Sequence, residues 1–247
     1  MLNFELYNPV RIIFGPGEAE NIGKYTKEYG TKAMLVTYDV HDFFNELLAK
    51  LDKSFKDAGV TVTEFFKVKP NPRLSDIEEA IDICRKEGIE VIVALGGGSV
   101  MDSAKAIGAG VKYDGDPWKM FVSRHDKAVA VPPTDTLPTI MIPTKSATSS
   151  ETNNVAVATN DRTHEKAYIW APVLYPKICV MDPCVTATLP KFPMAAGAVD
   201  AMSHVLEAYL NGDQNSPVQD RCHEGLLMAV MDLIRKIFKD PDDIQAR

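Results

Sequence analysis

As far as Asp182, short apolar and β-branched segments alternate with longer amphipathic ones, which predicts strands and crossover helices in a parallel sheet. Residues 32–37 read as a strand. From 42 to 58, Phe44, Leu47, Leu48, Leu51 and Phe55 recur at helical spacing, and Gly59 follows as a left-handed stop. A second strand is expected over 60–66. Ser75 and Glu78 have the spacing of a capping box, with the hydroxyl taking a first-turn amide and the carboxylate reaching back, so a helix should run from there to Gly88. Residues 91–95 are a continuous apolar run of strand length, the mark of a strand buried on both faces. That run enters Gly96-Gly97-Gly98-Ser99 and then a helix over 100–109.

Beyond it, residues 113–138 are rich in Pro, Asp and charge and read as irregular surface with one apolar interruption at 118–122. Residues 139–142 resume the sheet, the polar run 144–154 reads as a linker or a functional loop, and 155–158 and 178–181 are further strands. After Asp182-Pro183 the pattern becomes helical: Pro193 suits the first turn of a helix reaching Leu210, and Ser216-Pro217 caps another to about Phe238. The fold expected is α/β, a parallel-sheet domain over residues 1–185, followed by the beginning of an all-helical domain over 186–247.

Composition narrows the setting. With 247 residues, 45% of them hydrophobic and 25% charged, the chain can bury a core without disulfides. No apolar run approaches the ~18 residues that span a bilayer, and the N-terminus lacks a basic region followed by an apolar stretch, so neither a membrane nor a secretory signal is expected and a cytoplasmic protein is. A net charge of −7 argues against nucleic acid. The four cysteines are few for the length and form no C-x-x-C pair, which fits reduced thiols in a reducing compartment. Cys179 and Cys184 have the look of a metal knuckle, but Cys179 lies in an apolar run and reads better as a small buried hydrophobe.

The glycine turn has a clear physical use: without Cβ atoms, its amides can approach a pyrophosphate, and the helix N-terminus favours negative charge. Ser99 can add a hydrogen bond, and Asp102 can accept from a ribose hydroxyl or simply complement the helix dipole. The turn fails the dinucleotide fingerprint at Met101, and neither a P-loop nor G-x-S-x-G is present. Taken alone it is a site for some phosphate ligand or a structural corner. Asp200 and His204 stand one turn apart on a predicted helix face, where they can grip iron(II) or zinc or form a surface ion pair; a working site needs at least one more ligand. His125, His164 and His223 read as solvated, and Glu207 as an exposed salt-bridge partner. Asp39, just past the first strand, can bond a ribose 2′-hydroxyl and favour NAD over NADP, or be a turn residue; both cofactors stay open.

Four stretches coincide in order: Lys69-Pro70-Asn71-Pro72; Gly96 through Asp102-Ser103-Ala104-Lys105; Pro143-Thr144 through Ser149-Ser150-Glu151; and Gly197-Ala198-Val199-Asp200 through His204 to Tyr209. Together they resemble the iron-dependent (group III) alcohol dehydrogenases, most of all the butanol dehydrogenase branch. The resemblance implies a dinucleotide-binding domain, a helical domain and a cleft between them. It implies contacts from Asn71, Gly97, Gly98, Ser99 and Asp102 to NAD or NADP, with Thr144, Thr148 and Leu189 lining the nucleotide and Lys166 near the nicotinamide ribose. It makes Asp200 and His204 the first two of four metal ligands, for iron(II) or alternatively zinc. Substrates would be primary alcohols and aldehydes such as butanol and butyraldehyde, the metal polarising the substrate oxygen while hydride passes to or from the nicotinamide, in a homodimer.

Two departures stand out. The family usually carries glycine where Ser149 stands, and its two remaining histidine ligands lie downstream of Arg247, so about a hundred residues of the helical domain are expected to be missing. Two rival readings follow: a nucleotide-binding remnant without turnover, and a lyase of the dehydroquinate-synthase type. The lyase is disfavoured because its phosphate-bearing substrate calls for a basic cluster near Asp200 and His204.

Overall fold

The computed structural model describes residues 3, 5, 7–124, 130–211 and 216–247. The chain divides into two compact units, one of residues 1–143 and 149–182, the other of 144–148 and 183–247. Residues 144–148, which the hydrophobic pattern attaches to the sheet domain, therefore group with the second unit.

In the first unit the strands are β1 (Arg11–Phe14), β2 (Lys32–Tyr38), β3 (Thr61–Val68), β4 (Val91–Gly96), β5 (Thr139–Pro143), β6 (Val155–Asn160), β7 (Glu165–Trp170) and β8 (Ile178–Met181). Its helices are α1 (Ile22–Lys27), α2 (Asn45–Ala58), α3 (Leu74–Glu87) and α4 (Gly98–Lys112). Six strands form one sheet in the order β1-β8-β5-β4-β2-β3, every pair parallel. Every residue of β4 is buried, as its unbroken apolar run requires of a central strand. The core gathers Met34 and Val36 of β2, Ile92 and Ala94 of β4 and Met141 of β5 with Leu74, Ile77 and Ile81 of α3 and Val100, Ala104 and Ile107 of α4.

Three expectations need correction. The segment from Val155 is no part of the main sheet: β6 and β7 pair antiparallel as a separate hairpin, because the short turn between them permits no crossover. The capping box does not form. α3 begins at Leu74 with no side-chain cap, the Ser75 amide donates to Asp161 Oδ1 at 3.2 Å, and Glu78 is held by Arg162 at 2.7 Å. A carboxylate from the β6–β7 turn, charged and aimed at a helix N-terminus, displaces the weaker local hydroxyl. Ser216 likewise precedes its helix without a side-chain capping bond. The expectations for 42–58 and the glycine-turn helix hold, the latter starting earlier, at Gly98.

The second unit contains α5 (Lys191–Asn211) and α6 (Pro217–Lys239). Its buried cluster is small: Met194, Ile237 and Ala246, with Leu189 and Ile234 packed against them. At the other end of the pair, the Tyr209 hydroxyl donates to Glu224 Oε1 at 3.1 Å. Phe192, Val199, Leu210, Val218, Leu226 and Met228 are exposed. Among the described residues no helix is long and apolar enough to cross a membrane.

Candidate functional site

In the first unit the chain winds one way from β2 to β3 and then crosses back past β2 to β4, β5 and β8. The direction reverses between β2 and β4. In an open parallel sheet, the carboxyl ends of the two strands at such a reversal leave a crevice that loops on either side do not fill, and ligands bind there. Tyr38 ends β2 and Gly96 ends β4, so the glycine turn lies at this point.

The turn's amides are not equivalent. The Gly97 N–H donates to the Tyr38 hydroxyl at 2.9 Å, while the Val100 and Met101 amides turn back to the Gly97 carbonyl. The amides of Gly98 and Ser99, the first two residues of α4, have no acceptor among the described residues, and both residues are half-buried rather than sealed. Two donors at the positive end of a fifteen-residue helix fit an anionic oxygen. Gly97 was expected to be a donor too; its amide is committed to Tyr38, which the sequence reading did not single out.

Three expected cofactor residues, far apart in sequence, meet beside this turn. The Ser99 Oγ accepts the Asn71 amide at 3.3 Å, and the Lys166 Nζ donates to Asn71 Oδ1 at 3.0 Å. Asn71 holds a left-handed backbone (φ 61) between two prolines, which an asparagine tolerates better than most side chains. Asp39 is exposed just past β2, its carboxylate accepting only the neighbouring Val40 amide at 2.9 Å among the described residues.

Asp102 is placed differently from either sequence reading. It lies in the second turn of α4, and its carboxylate accepts the Ser150 hydroxyl at 2.6 Å and the Val157 amide at 3.2 Å. Burial raises its pKa, and those two donors and Lys105 oppose the rise. Lys105 is fully buried, with Nζ 2.9 Å from both the Asn153 carbonyl and Oδ1 and 2.8 Å from the Val155 carbonyl. Burial pushes its pKa down to about 8, against the pull of Asp102 and Glu151. These two α4 side chains thus fasten residues 150–157 to the helix that carries the glycine turn. At the head of that loop Ser149 takes φ 52, the left-handed conformation that costs a non-glycine residue about 1 kcal/mol or more. Ser149→Gly should therefore raise the unfolding free energy by about 0.5 kcal/mol once glycine's greater unfolded-state freedom is deducted, seen as a slightly higher urea midpoint; a lowered midpoint would show the serine side chain to be holding the loop.

In the second unit, Thr144 is buried, and Leu189 packs into the Met194–Ile237 cluster. Thr148 belongs to the same unit. Asp200 is half-buried and His204 exposed, one turn apart on α5. No group of three or more His, Cys, Asp or Glu residues able to hold a metal exists among the described residues. The pair suits iron or zinc in kind, oxygen with nitrogen, and falls short in number. His164 is exposed in the β6–β7 turn, His223 is half-buried on α6 with Nδ1 unpaired, and His125 lies outside the described residues.

Residues 9–183 match the family model for iron-containing alcohol dehydrogenases, and residues 194–247 match the C-terminal model of the Fe-containing alcohol dehydrogenase family. The chain belongs to the iron-containing alcohol dehydrogenase family. A probable NADH-dependent butanol dehydrogenase 1 of Bacillus subtilis is 39% identical over 252 residues, an alignment covering 100% of this chain and 62% of that protein. The crystal structure of NADH-dependent butanol dehydrogenase A from Thermotoga maritima superposes with a TM-score of 0.89 at 38% identity, over 99% of this chain and 60% of that one. A sulfoacetaldehyde reductase from Bifidobacterium kashiwanohense, solved in complex with NAD+, matches with a TM-score of 0.85 at 27% identity, over 100% of this chain and 63% of that one. The chain thus spans less than two thirds of the length of these relatives.

Proposed function

We propose that the chain is the nucleotide-holding part of a metal-dependent oxidoreductase that moves hydride between NAD(P)H and a primary alcohol or aldehyde, with butanol and butyraldehyde as representative substrates. The observation that carries this reading is the pair of unspent amides, Gly98 and Ser99, at the strand-order reversal of a chain of this family. In this role Gly98 and Ser99 hold the diphosphate, Asn71 and Lys166 orient the ribose nearer the nicotinamide, and Thr144, Thr148 and Leu189 line the nucleotide. Asp102 acts through the Ser150 loop it holds rather than on a sugar hydroxyl.

NAD is favoured over NADP. The Asp39 carboxylate stands exposed at the end of β2, where it can accept from a ribose 2′-hydroxyl and repel a 2′-phosphate; the Bacillus and Thermotoga relatives are both named for NADH. Asp200 and His204 would supply two ligands to iron(II), or zinc, whose contribution when bound is to polarise the substrate oxygen. The proposed setting is cytoplasmic and the proposed assembly a homodimer, both on family grounds.

Titration of the full chain with NADH and NADPH, followed by nicotinamide fluorescence, should give the tighter constant for NADH; a preference for NADPH removes Asp39 from the argument. With iron(II) or zinc and butyraldehyde present, oxidation of NADH should be lost by about 100-fold or more on His204→Ala. Cofactor binding with no turnover in either protein supports the remnant instead. The lyase remains disfavoured, since no Lys or Arg lies within a helical turn of Asp200 or His204 on α5.

A further inference from the structure

We infer that Tyr38 is a further ligand of the dinucleotide, its hydroxyl donating to a diphosphate oxygen while it accepts the Gly97 amide. The inference rests on the reading that the chain binds a dinucleotide, and adds to it a side chain from the opposite wall of the same crevice.

A tyrosine hydroxyl has one hydrogen to give and lone pairs to receive. The Gly97 N–H occupies a lone pair at 2.9 Å, and the hydroxyl's own hydrogen goes to no described residue. Tyr38 is half-buried at the carboxyl end of β2, the strand that borders β4 where the strand order reverses. An unspent donor in that place lies alongside the two other unspent donors, the Gly98 and Ser99 amides. Neighbouring donors with no acceptor in common are what an oxygen-rich anion satisfies together.

The close approach depends on the absent side chain of Gly97: a Cβ there would stand 2.9 Å from the Tyr38 oxygen. Accepting an N–H polarises a hydroxyl and makes it a better donor. Burial raises the Tyr38 pKa, so the hydrogen stays in place through the neutral range. The turn therefore divides its work, with Gly97 fixing the hydroxyl and Gly98 and Ser99 facing the ligand beside it.

The competing role is that of a strut, in which Tyr38 only holds the turn in shape. Tyr38→Phe in the full chain separates the two when NADH, ADP and adenosine are each titrated, with the folded fraction measured by circular dichroism. The expected result is a loss of about tenfold or more for NADH and ADP, unchanged binding of adenosine, and disappearance of the tyrosine ultraviolet difference signal that ADP produces in the wild-type chain. Equal weakening of all three ligands, or an unchanged constant for ADP, overturns the inference and leaves the dinucleotide reading standing. A wild-type chain that binds no dinucleotide overturns both. Tyr38→Met, which also lacks the hydroxyl, repeats the comparison if the phenylalanine variant does not fold.

Discussion

Lys105→Met is expected to destabilise the sheet unit by about 3–5 kcal/mol, the range for breaking a buried charged group away from its partners. The methionine keeps the aliphatic stem and the packing around it, so the loss isolates the ammonium. Three acceptors, the Asn153 carbonyl, Asn153 Oδ1 and the Val155 carbonyl, would lose their donor inside the protein. Each orphaned acceptor costs about 1–3 kcal/mol if water cannot reach it. Urea unfolding followed by circular dichroism measures the difference; a midpoint within error of wild type would mean that the 153–155 carbonyls are hydrated. The pH dependence carries a definite sign. Burial holds the folded-state pKa of Lys105 at about 8 against 10.5 for a free lysine. Below 8 the group is charged in both states, and its contribution is constant. Between the two values the unfolded chain binds more protons, so the stability of the wild type relative to Lys105→Met should increase as pH rises through that window.

Most of the sheet was legible because its strands carry strong local signals. β4 is apolar throughout, and α2 and α3 repeat their apolar positions at helical spacing with Leu51, Phe55, Ile77 and Ile81 buried. β1 and α1 escaped because four and six residues hold too little pattern to separate from a loop. β7 escaped for another reason: Glu165, Ala167 and Ile169 are buried and Lys166, Tyr168 and Trp170 exposed, so a carboxylate lies on the inner face and two aromatic rings on the outer one, and the alternation in burial is not an alternation in hydrophobicity. The failed capping box has a different origin, since the carboxylate that replaces it lies 86 residues away.

The candidate site divides along the same line. The glycine turn could be read from its strand-to-helix context, and the motif resemblance added Asn71 and Lys166; the bonds of Asn71 to Ser99 and of Lys166 to Asn71 are encoded by no local pattern. Tyr38 and Lys105 were not singled out because their partners lie 59 and 48 residues distant. Lys105 still left a trace in the sequence: a lysine between Ala104 and Ala106, on a helix with ten buried residues, has no solvent to reach.

Gly96→Ala should cost about 2–3 kcal/mol in stability and weaken NADH binding by about 100-fold or more. A Cβ at Gly96 would fall 2.4 Å from Val100 Cγ2 and 2.6 Å from Val100 Cβ. The second distance decides the matter, because a Cβ is fixed to its backbone and no rotamer change moves it away. Relief requires the first turn of α4 to shift, and that turn carries the Gly98 and Ser99 amides. Overpacking of this kind costs about 1–3 kcal/mol, while the larger functional loss follows from moving two donors off a single anion. Gly23→Ala supplies the control. Its Cβ would stand 2.0 Å from the Ser54 carbonyl oxygen and 2.5 Å from the carbonyl carbon, where α1 crosses α2, so its stability loss should match or exceed that of Gly96→Ala. The folded fraction of Gly23→Ala should nevertheless bind NADH with the wild-type constant, since the α1–α2 contact holds none of the turn's donors. Measured together by thermal unfolding and nicotinamide fluorescence, the two variants separate injury to the fold from injury to the crevice. If both lost affinity equally, the glycine turn would be a structural corner and the dinucleotide would have to be sought elsewhere in the family fold.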